Sequence, residues 1–147
     1  MVKISIRELA VLALSISLAI GALLTVGCAG GEIEVPTQTI EDVTAQEAFT
    51  LIQNNQNNPD FVILDVRTPE EFTDGHIENA INIDFYSETF QDELNDLDKS
   101  KTYLIYCRSG RRSADALDIM RELNFREIYH MTGGIIEWEA EGLPTTK

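Results

Sequence analysis

Residues 102–113 read Thr-Tyr-Leu-Ile-Tyr-Cys-Arg-Ser-Gly-Arg-Arg-Ser, TYLIYCRSGRRS. Residues 102–106 are an unbroken apolar, β-favouring run, which predicts a strand buried on both faces. The run stops at Cys107. Arg108 to Arg112 predict a loop, with Gly110 free to let the backbone curl. Ser113 is the predicted N-cap of a helix reaching about Asn124, with Ala116, Leu117, Met120 and Leu123 facing inward. In open α/β sheets, sites form outside the carboxyl ends of the strands. Cys107 therefore stands where chemistry is expected.

The same alternation extends along the chain. Thr44-Ala45-Gln46-Glu47 is a capping box, followed by a helical stripe of Ala45, Ala48, Phe49 and Ile52. Phe61 to Leu64 is a second buried strand. Thr68-Pro69-Glu70-Glu71 is a second capping box, with proline at the first helical position. Ala80 to Ile83 predicts a short strand, Phe90 to Leu97 a short acidic helix, and Glu127 to Tyr129 a last strand. Gly133-Gly134 then turns into a short helix carrying Trp138, with Ile135, Ile136 and Trp138 expected in the core. Strands alternating with helices predict an α/β fold with a central, mostly parallel sheet and helices on both faces.

The N-terminus differs from the rest. Lys3 and Arg7 precede residues 9–26, LAVLALSISLAIGALLTV, which are 18 residues without a charge. Gly27-Cys28 follows. A basic start, an apolar stretch and small residues at its end predict an export signal. Leu24 to Cys28 resembles a bacterial lipobox, although Thr25 stands where leucine is commonest. The resemblance implies cleavage before Cys28 and lipidation of its thiol. An uncleaved transmembrane anchor is the alternative, because the stretch just reaches spanning length. Both place the domain outside the cytoplasm and attach it to a membrane. The expected organisation is a signal at 1–27, a Gly-rich acidic tether at 28–38 and one domain at 39–147.

The 147 residues carry a formal net charge of -14. That balance argues against a nucleic-acid partner, which needs clustered positive charge. Yet three of only 11 basic residues lie within five positions of Cys107. If Cys28 is lipidated, Cys107 has no disulfide partner, and a lone exported thiol is either inert or kept for chemistry. A helix start adds unpaired amides and about half a positive charge. Loop amides curled by Gly110 add a nest. Together with Arg108, Arg111 and Arg112, these features favour thiolate and would cradle an anion. A free thiol is about 3% ionised at pH 7, and lowering its pKa to ~6 raises that to about 90%.

Several stretches in order resemble the single-domain rhodaneses, a sulfurtransferase family: Leu64 to Phe72 (LDVRTPEEF), Gly75-His76-Ile77, Ala80 to Ile83, Tyr106 to Ser113, and Gly133-Gly134 with Trp138. They span roughly residues 39–144. Glu78-Asn79 departs from the family, which usually has glycine just before Ala80. The resemblance implies that Cys107 is the catalytic nucleophile, taking sulfur from a small anionic donor such as thiosulfate. The resulting persulfide passes it to a thiol or another thiophilic acceptor. It implies donor binding by the loop residues Arg108, Ser109, Gly110, Arg111 and Arg112, and support from Asp65, Arg67 and Ser113. Arg112 is expected to face either solvent or an acidic neighbour. For Asp65 and Arg67, an internal ion pair bracing the loop is the competing expectation. No cofactor is implied.

Two rivals remain. One is a non-catalytic module that binds or carries sulfur. The other is a Cys-dependent phosphatase or arsenate reductase. Those enzymes use Cys-x5-Arg, in which the arginine clamps an oxyanion bidentately. Six positions after Cys107 stands Ser113. The six-residue loop Cys107–Arg112 is the length that the family pairs with sulfur. His76 is expected to make a structural hydrogen bond, and His130 to be a surface or strand-end residue. Two His and two Cys at these distances match no metal-ligand spacing.

Overall fold

The computed structural model describes residues 37–147. Cys28, the apolar stretch before it and most of the expected tether lie outside the described residues. Five strands, β1 (Thr39–Val43), β2 (Phe61–Asp65), β3 (Ile81–Asn82), β4 (Thr102–Tyr106) and β5 (Glu127–Met131), form one sheet. Its order is β1-β5-β4-β2-β3, and every pairing is parallel. Among the described residues, five helices accompany it: α1 (Ala45–Asn54), α2 (Pro69–Asp74), α3 (Phe90–Asp96), α4 (Arg111–Glu122) and α5 (Gly134–Ala140).

β4, from the opening stretch, is central and buried, as its apolar run requires. Its side chains alternate between two cores. Tyr103 and Ile105 pack with Phe90 and Leu94 of α3 and with Ala116, Leu117 and Met120 of α4. Leu104 and Tyr106 pack on the other face with Ala45 and Ala48 of α1 and Ile135 and Trp138 of α5. Cys107 continues the alternation and joins the α3/α4 core. Its neighbour on the sheet fixes what else reaches this end. Asp65 pairs with Tyr106 in register, and Val66 donates to the Tyr106 carbonyl at 3.0 Å. The chain therefore leaves β2 and β4 side by side, and the starts of α2 and α4 become neighbours.

Both predicted capping boxes are present, at Thr44/Glu47 and Thr68/Glu71. Asn79 takes φ 64, a left-handed conformation, in the Glu78-Asn79 turn. Three features depart from the sequence reading. β1 was not predicted, because this edge strand carries Glu41 and Asp42 and is mostly exposed. Ile136 is 49% exposed rather than in the core. The third is the start of α4. Gly110, not Ser113, is the N-cap, and Ser113 lies inside the helix with no exposed surface. The left-handed turn at Gly110 brings the chain into helical geometry early, before a serine cap could form.

Candidate active site

Cys107 lies at the floor of an open cleft of about 440 Å³, beside the loop Arg108 to Arg112. Only 1% of the residue is exposed, so a ligand must enter the loop to reach the sulfur. Two glycines shape that loop. Gly110 has φ +87, and a Cβ there would sit 1.8 Å from the Thr132 carbonyl oxygen. Gly134 has φ +59, and a Cβ there would lie 2.5 Å from the Arg108 backbone. The bare backbone of Gly134 lets the start of α5 pack against the back of the loop. Ile135 donates to the Cys107 carbonyl at 2.9 Å, and Ile136 to the Arg108 carbonyl at 3.1 Å. With those carbonyls tied backwards, the following amides are free to face the sulfur.

Burial pushes the Cys107 thiol up. The Ser113 hydroxyl and the amides of Ser113, Ser109 and Gly110 outweigh it, leaving the thiol below its ordinary value. The Ser113 Oγ lies 3.4 Å from Cys107 Sγ. The lowering thus comes from neutral donors: the loop and helix-start amides expected beside the arginines, and the Ser113 hydroxyl, which was not expected to do so. This is possible because no side chain caps α4, so its first amides remain available to the sulfur or to an anion.

The arginines divide into two kinds. Arg108 and Arg111 are exposed at the rim of the cleft. Arg112 is partly buried and gives both terminal nitrogens to Glu71, at 2.7 and 2.8 Å. Its guanidinium also lies 5.5 Å from the ring of Tyr86, an exposed side chain on the cleft wall. Arg112 hydrogen bonds hold Glu71 at about 2, against the pull of burial and with help from the Thr68 amide. Glu71, in turn, leads the rise in the Arg112 pKa, which burial opposes and the Cys107 charge reinforces. Glu71 and Tyr86 escaped the sequence reading. Glu71 was assigned only to its capping box, where it does accept from the Thr68 amide at 3.2 Å.

Asp65 and Arg67 pair with one another at 2.6 Å, fully within the protein. Arg67 also donates to the Gly75 carbonyl at 2.7 Å and lies 5.7 Å from the Tyr106 ring. The pair braces the segment after β2, and neither residue lines the cleft. His76 places Nδ1 2.9 Å from the Phe72 carbonyl and stacks on the Phe72 ring, a structural role. His130 lies near the end of β5, as one of its two expectations had it, but it is not a surface residue, being only 5% exposed. Its Nδ1 is 2.8 Å from Asp42 Oδ1, and its Nε2 is 3.0 Å from Ser113 Oγ. Parallel pairing of β1 with β5 puts Asp42 beside His130, a juxtaposition 88 residues apart in sequence. Among the described residues, no cluster of His, Cys, Asp or Glu has the arrangement of a metal site.

A strand-end cysteine ringed by amides, with an acid-anchored arginine beside it, defines a class that comparison with known proteins identifies. The family described as "Rhodanese-like domain" matches residues 48–141. The chain belongs to this rhodanese-like family. It is 30% identical over 98 residues to a sulfurtransferase of Allochromatium vinosum, covering 67% of this chain and 90% of that protein. It is 33% identical over 119 residues to a tRNA uridine(34) hydroxylase of Photorhabdus laumondii, covering 74% of this chain but 32% of the hydroxylase. The chain thus spans about a third of that enzyme's length. Among solved structures, a rhodanese-related protein from Thermoplasma volcanium superimposes with a TM-score of 0.60 at 29% identity, covering 72% of this chain and 97% of that one.

Proposed function

We propose that this chain is a sulfurtransferase that carries sulfane sulfur on Cys107. The observation that supports this most is the ring of donors around one buried sulfur. The amides of Ser109, Gly110 and Ser113 and the Ser113 hydroxyl all lower the Cys107 pKa. Such a ring stabilises a thiolate before reaction and a persulfide anion after it.

The first half-reaction is a displacement at sulfur. The Cys107 thiolate attacks the outer sulfur of a thiosulfate-like donor. The donor's S–S bond breaks, sulfite leaves with the bonding electron pair, and a Cys107 persulfide remains. A thiophilic acceptor then attacks the outer persulfide sulfur, and the Cys107 thiolate departs, ready for another cycle. Arg108 and Arg111 at the rim meet the anionic donor. Arg112, fixed by Glu71, supplies charge beside the sulfur rather than a free clamp. The phosphatase rival fares worse here, because the position of its arginine is held by Ser113, whose hydroxyl faces the sulfur.

Incubation of the purified chain with thiosulfate should add the mass of one sulfur atom at Cys107. Cyanide should then release thiocyanate, and Cys107→Ala should do neither. Absence of a persulfide overturns the reading, persulfide without turnover supports the carrier, and phosphate release from an aryl phosphate supports the phosphatase. We also propose that the domain works outside the cytoplasm, held by a lipid on Cys28. The support is Gly27-Cys28 at the end of an uncharged apolar stretch. Mass spectrometry of the mature N-terminus tests this. A diacylated Cys28 is expected, and a Met1 peptide from the membrane-bound protein would overturn it.

A further inference from the structure

Among the described residues, the buried imidazole of His130 is given no task by the sulfur-transfer reading. His130 is linked to Cys107 through Ser113, whose hydroxyl is within reach of both. Ser113 has one hydroxyl hydrogen and three partners for it: Cys107 Sγ at 3.4 Å, the Gly110 carbonyl at 3.0 Å and His130 Nε2 at 3.0 Å. His130 Nε2 also lies 3.2 Å from the Gly110 carbonyl. Its other nitrogen meets the Asp42 carboxylate at 2.8 Å, which favours a proton on Nδ1. Neutral His130 with its proton on Nδ1 presents a bare Nε2, gives up the hydrogen bond to the Gly110 carbonyl, and draws the Ser113 hydrogen away from the sulfur. Protonated His130 donates from Nε2 and leaves the Ser113 hydrogen free for Cys107. One hydroxyl cannot serve both at once.

We propose that Asp42, His130 and Ser113 form a proton relay that couples ionisation of Cys107 to protonation of His130. In the forward direction the Cys107 thiol gives its proton to Ser113 Oγ. Ser113 passes its own hydrogen to His130 Nε2. The products are a Cys107 thiolate, an intact Ser113 hydroxyl donating to it, and an imidazolium facing Asp42. No proton is gained or lost by the set. His130 is therefore a positioning residue that acts on the sulfur through Ser113. The groups that meet His130 are Asp42 from β1 and the Gly110 carbonyl and Ser113 hydroxyl at the start of α4, with Cys107 from the end of β4 reached through Ser113. Asp42 has a side chain 71% exposed, so its influence is screened and should be the weaker of the two.

The relay rests on the sulfur-transfer reading only for its catalytic consequence, so its test needs no sulfur donor. Alkylation of Cys107 by iodoacetamide, measured from pH 5 to 9, reports the thiolate alone. In His130→Gln the half-reactive pH should rise by about one unit, making alkylation about tenfold slower at pH values well below it. Asp42→Asn should slow it about threefold in the same direction. In a Ser113→Ala background, His130→Gln should have no further effect. A His130→Gln profile superimposable on that of the unaltered chain overturns the relay. So does an equal shift with and without Ser113, which is what loss of packing alone would give. If His130→Gln fails to fold, Asp42→Asn decides alone, and an unchanged profile overturns the proposal. A responsive profile without persulfide formation would leave the relay standing and remove the sulfur-transfer reading.

Discussion

Two helices begin side by side at the carboxyl end of the sheet, and they begin in opposite ways. α2 starts closed. The Thr68 side chain accepts from Glu71, Glu71 reaches back to the Thr68 amide, and Pro69 removes a donor outright. α4 starts open. Its N-cap is Gly110, no side chain caps it, and its amides turn to a sulfur. The difference shows how a fold separates stability from chemistry at equivalent positions. Orphan amides at a helix start are satisfied either by the chain itself or by something the chain is built to bind. The two starts are also joined, because Glu71 of the closed one anchors Arg112 of the open one.

The comparison breaks most readily at Gly110. Gly110→Ala forces a Cβ onto the Thr132 carbonyl and holds a non-glycine residue at φ +87. A loss of about 3 kcal/mol or more is expected from strain and overlap together, with persulfide loading abolished. Gly142→Ala is the control, since Gly142 also has positive φ but nothing within 4 Å. It should cost about 1 kcal/mol and leave loading intact. Denaturant melts and mass spectrometry of thiosulfate-treated protein read both effects. A stable, fully loading Gly110→Ala protein would show that the open start does not depend on this glycine.

A smaller effect is expected at the joint between the two starts. Glu71→Gln keeps a side chain able to serve the capping box but removes the charge that balances Arg112. The KM for thiosulfate should fall about twofold, as uncompensated positive charge returns to the cleft, with kcat nearly unchanged. Stability near neutral pH should fall by about 1 kcal/mol, as suits a partly exposed pair. The pH dependence has a definite sign. Glu71 is held down at about 2 in the folded chain, below its unfolded value. Its contribution is complete above the unfolded value of about 4.3 and is lost as pH falls through about 2. The gap between the two proteins should therefore close across that interval. A gap that persists at pH 2 would mean that Gln disturbs packing rather than charge.

How much of this was legible in the sequence follows the same division. Strands β2 to β5 and the two closed helix starts could be read locally, since an apolar run and a Thr-x-x-Glu spacing each contain their own cause. The cysteine loop was legible as a pattern, but its working parts were not. Gly110 ends the loop early because Thr132 lies across from it, and Gly134 matters because α5 packs behind Arg108. Glu71 and Arg112 meet across 41 residues, through the adjacency of β2 and β4. His130 gained its neighbours only when the charged edge strand β1 paired with β5, and that strand had too little apolar character to be read. What escaped was long-range and polar, whereas what was read was local or apolar.

The smallest effect isolates the closed kind of start away from the site. α1 begins with the same box as α2, Thr44 with Glu47, where Glu47 accepts from the Thr44 amide at 2.8 Å. It packs on the far core and lines no part of the cysteine cleft. Thr44→Ala should cost about 1 kcal/mol through the lost cap, seen as a Tm lower by roughly 4–8 °C for a domain of this size. The rate and extent of persulfide loading should be unchanged at temperatures where the variant is folded. If capping is only a matter of stability, the two quantities separate cleanly at Thr44 and cannot be separated at Gly110. Loading that fell along with stability in Thr44→Ala would mean that α1 holds the cleft in shape through the sheet. Open and closed starts would then belong to one cooperative unit rather than to two tasks.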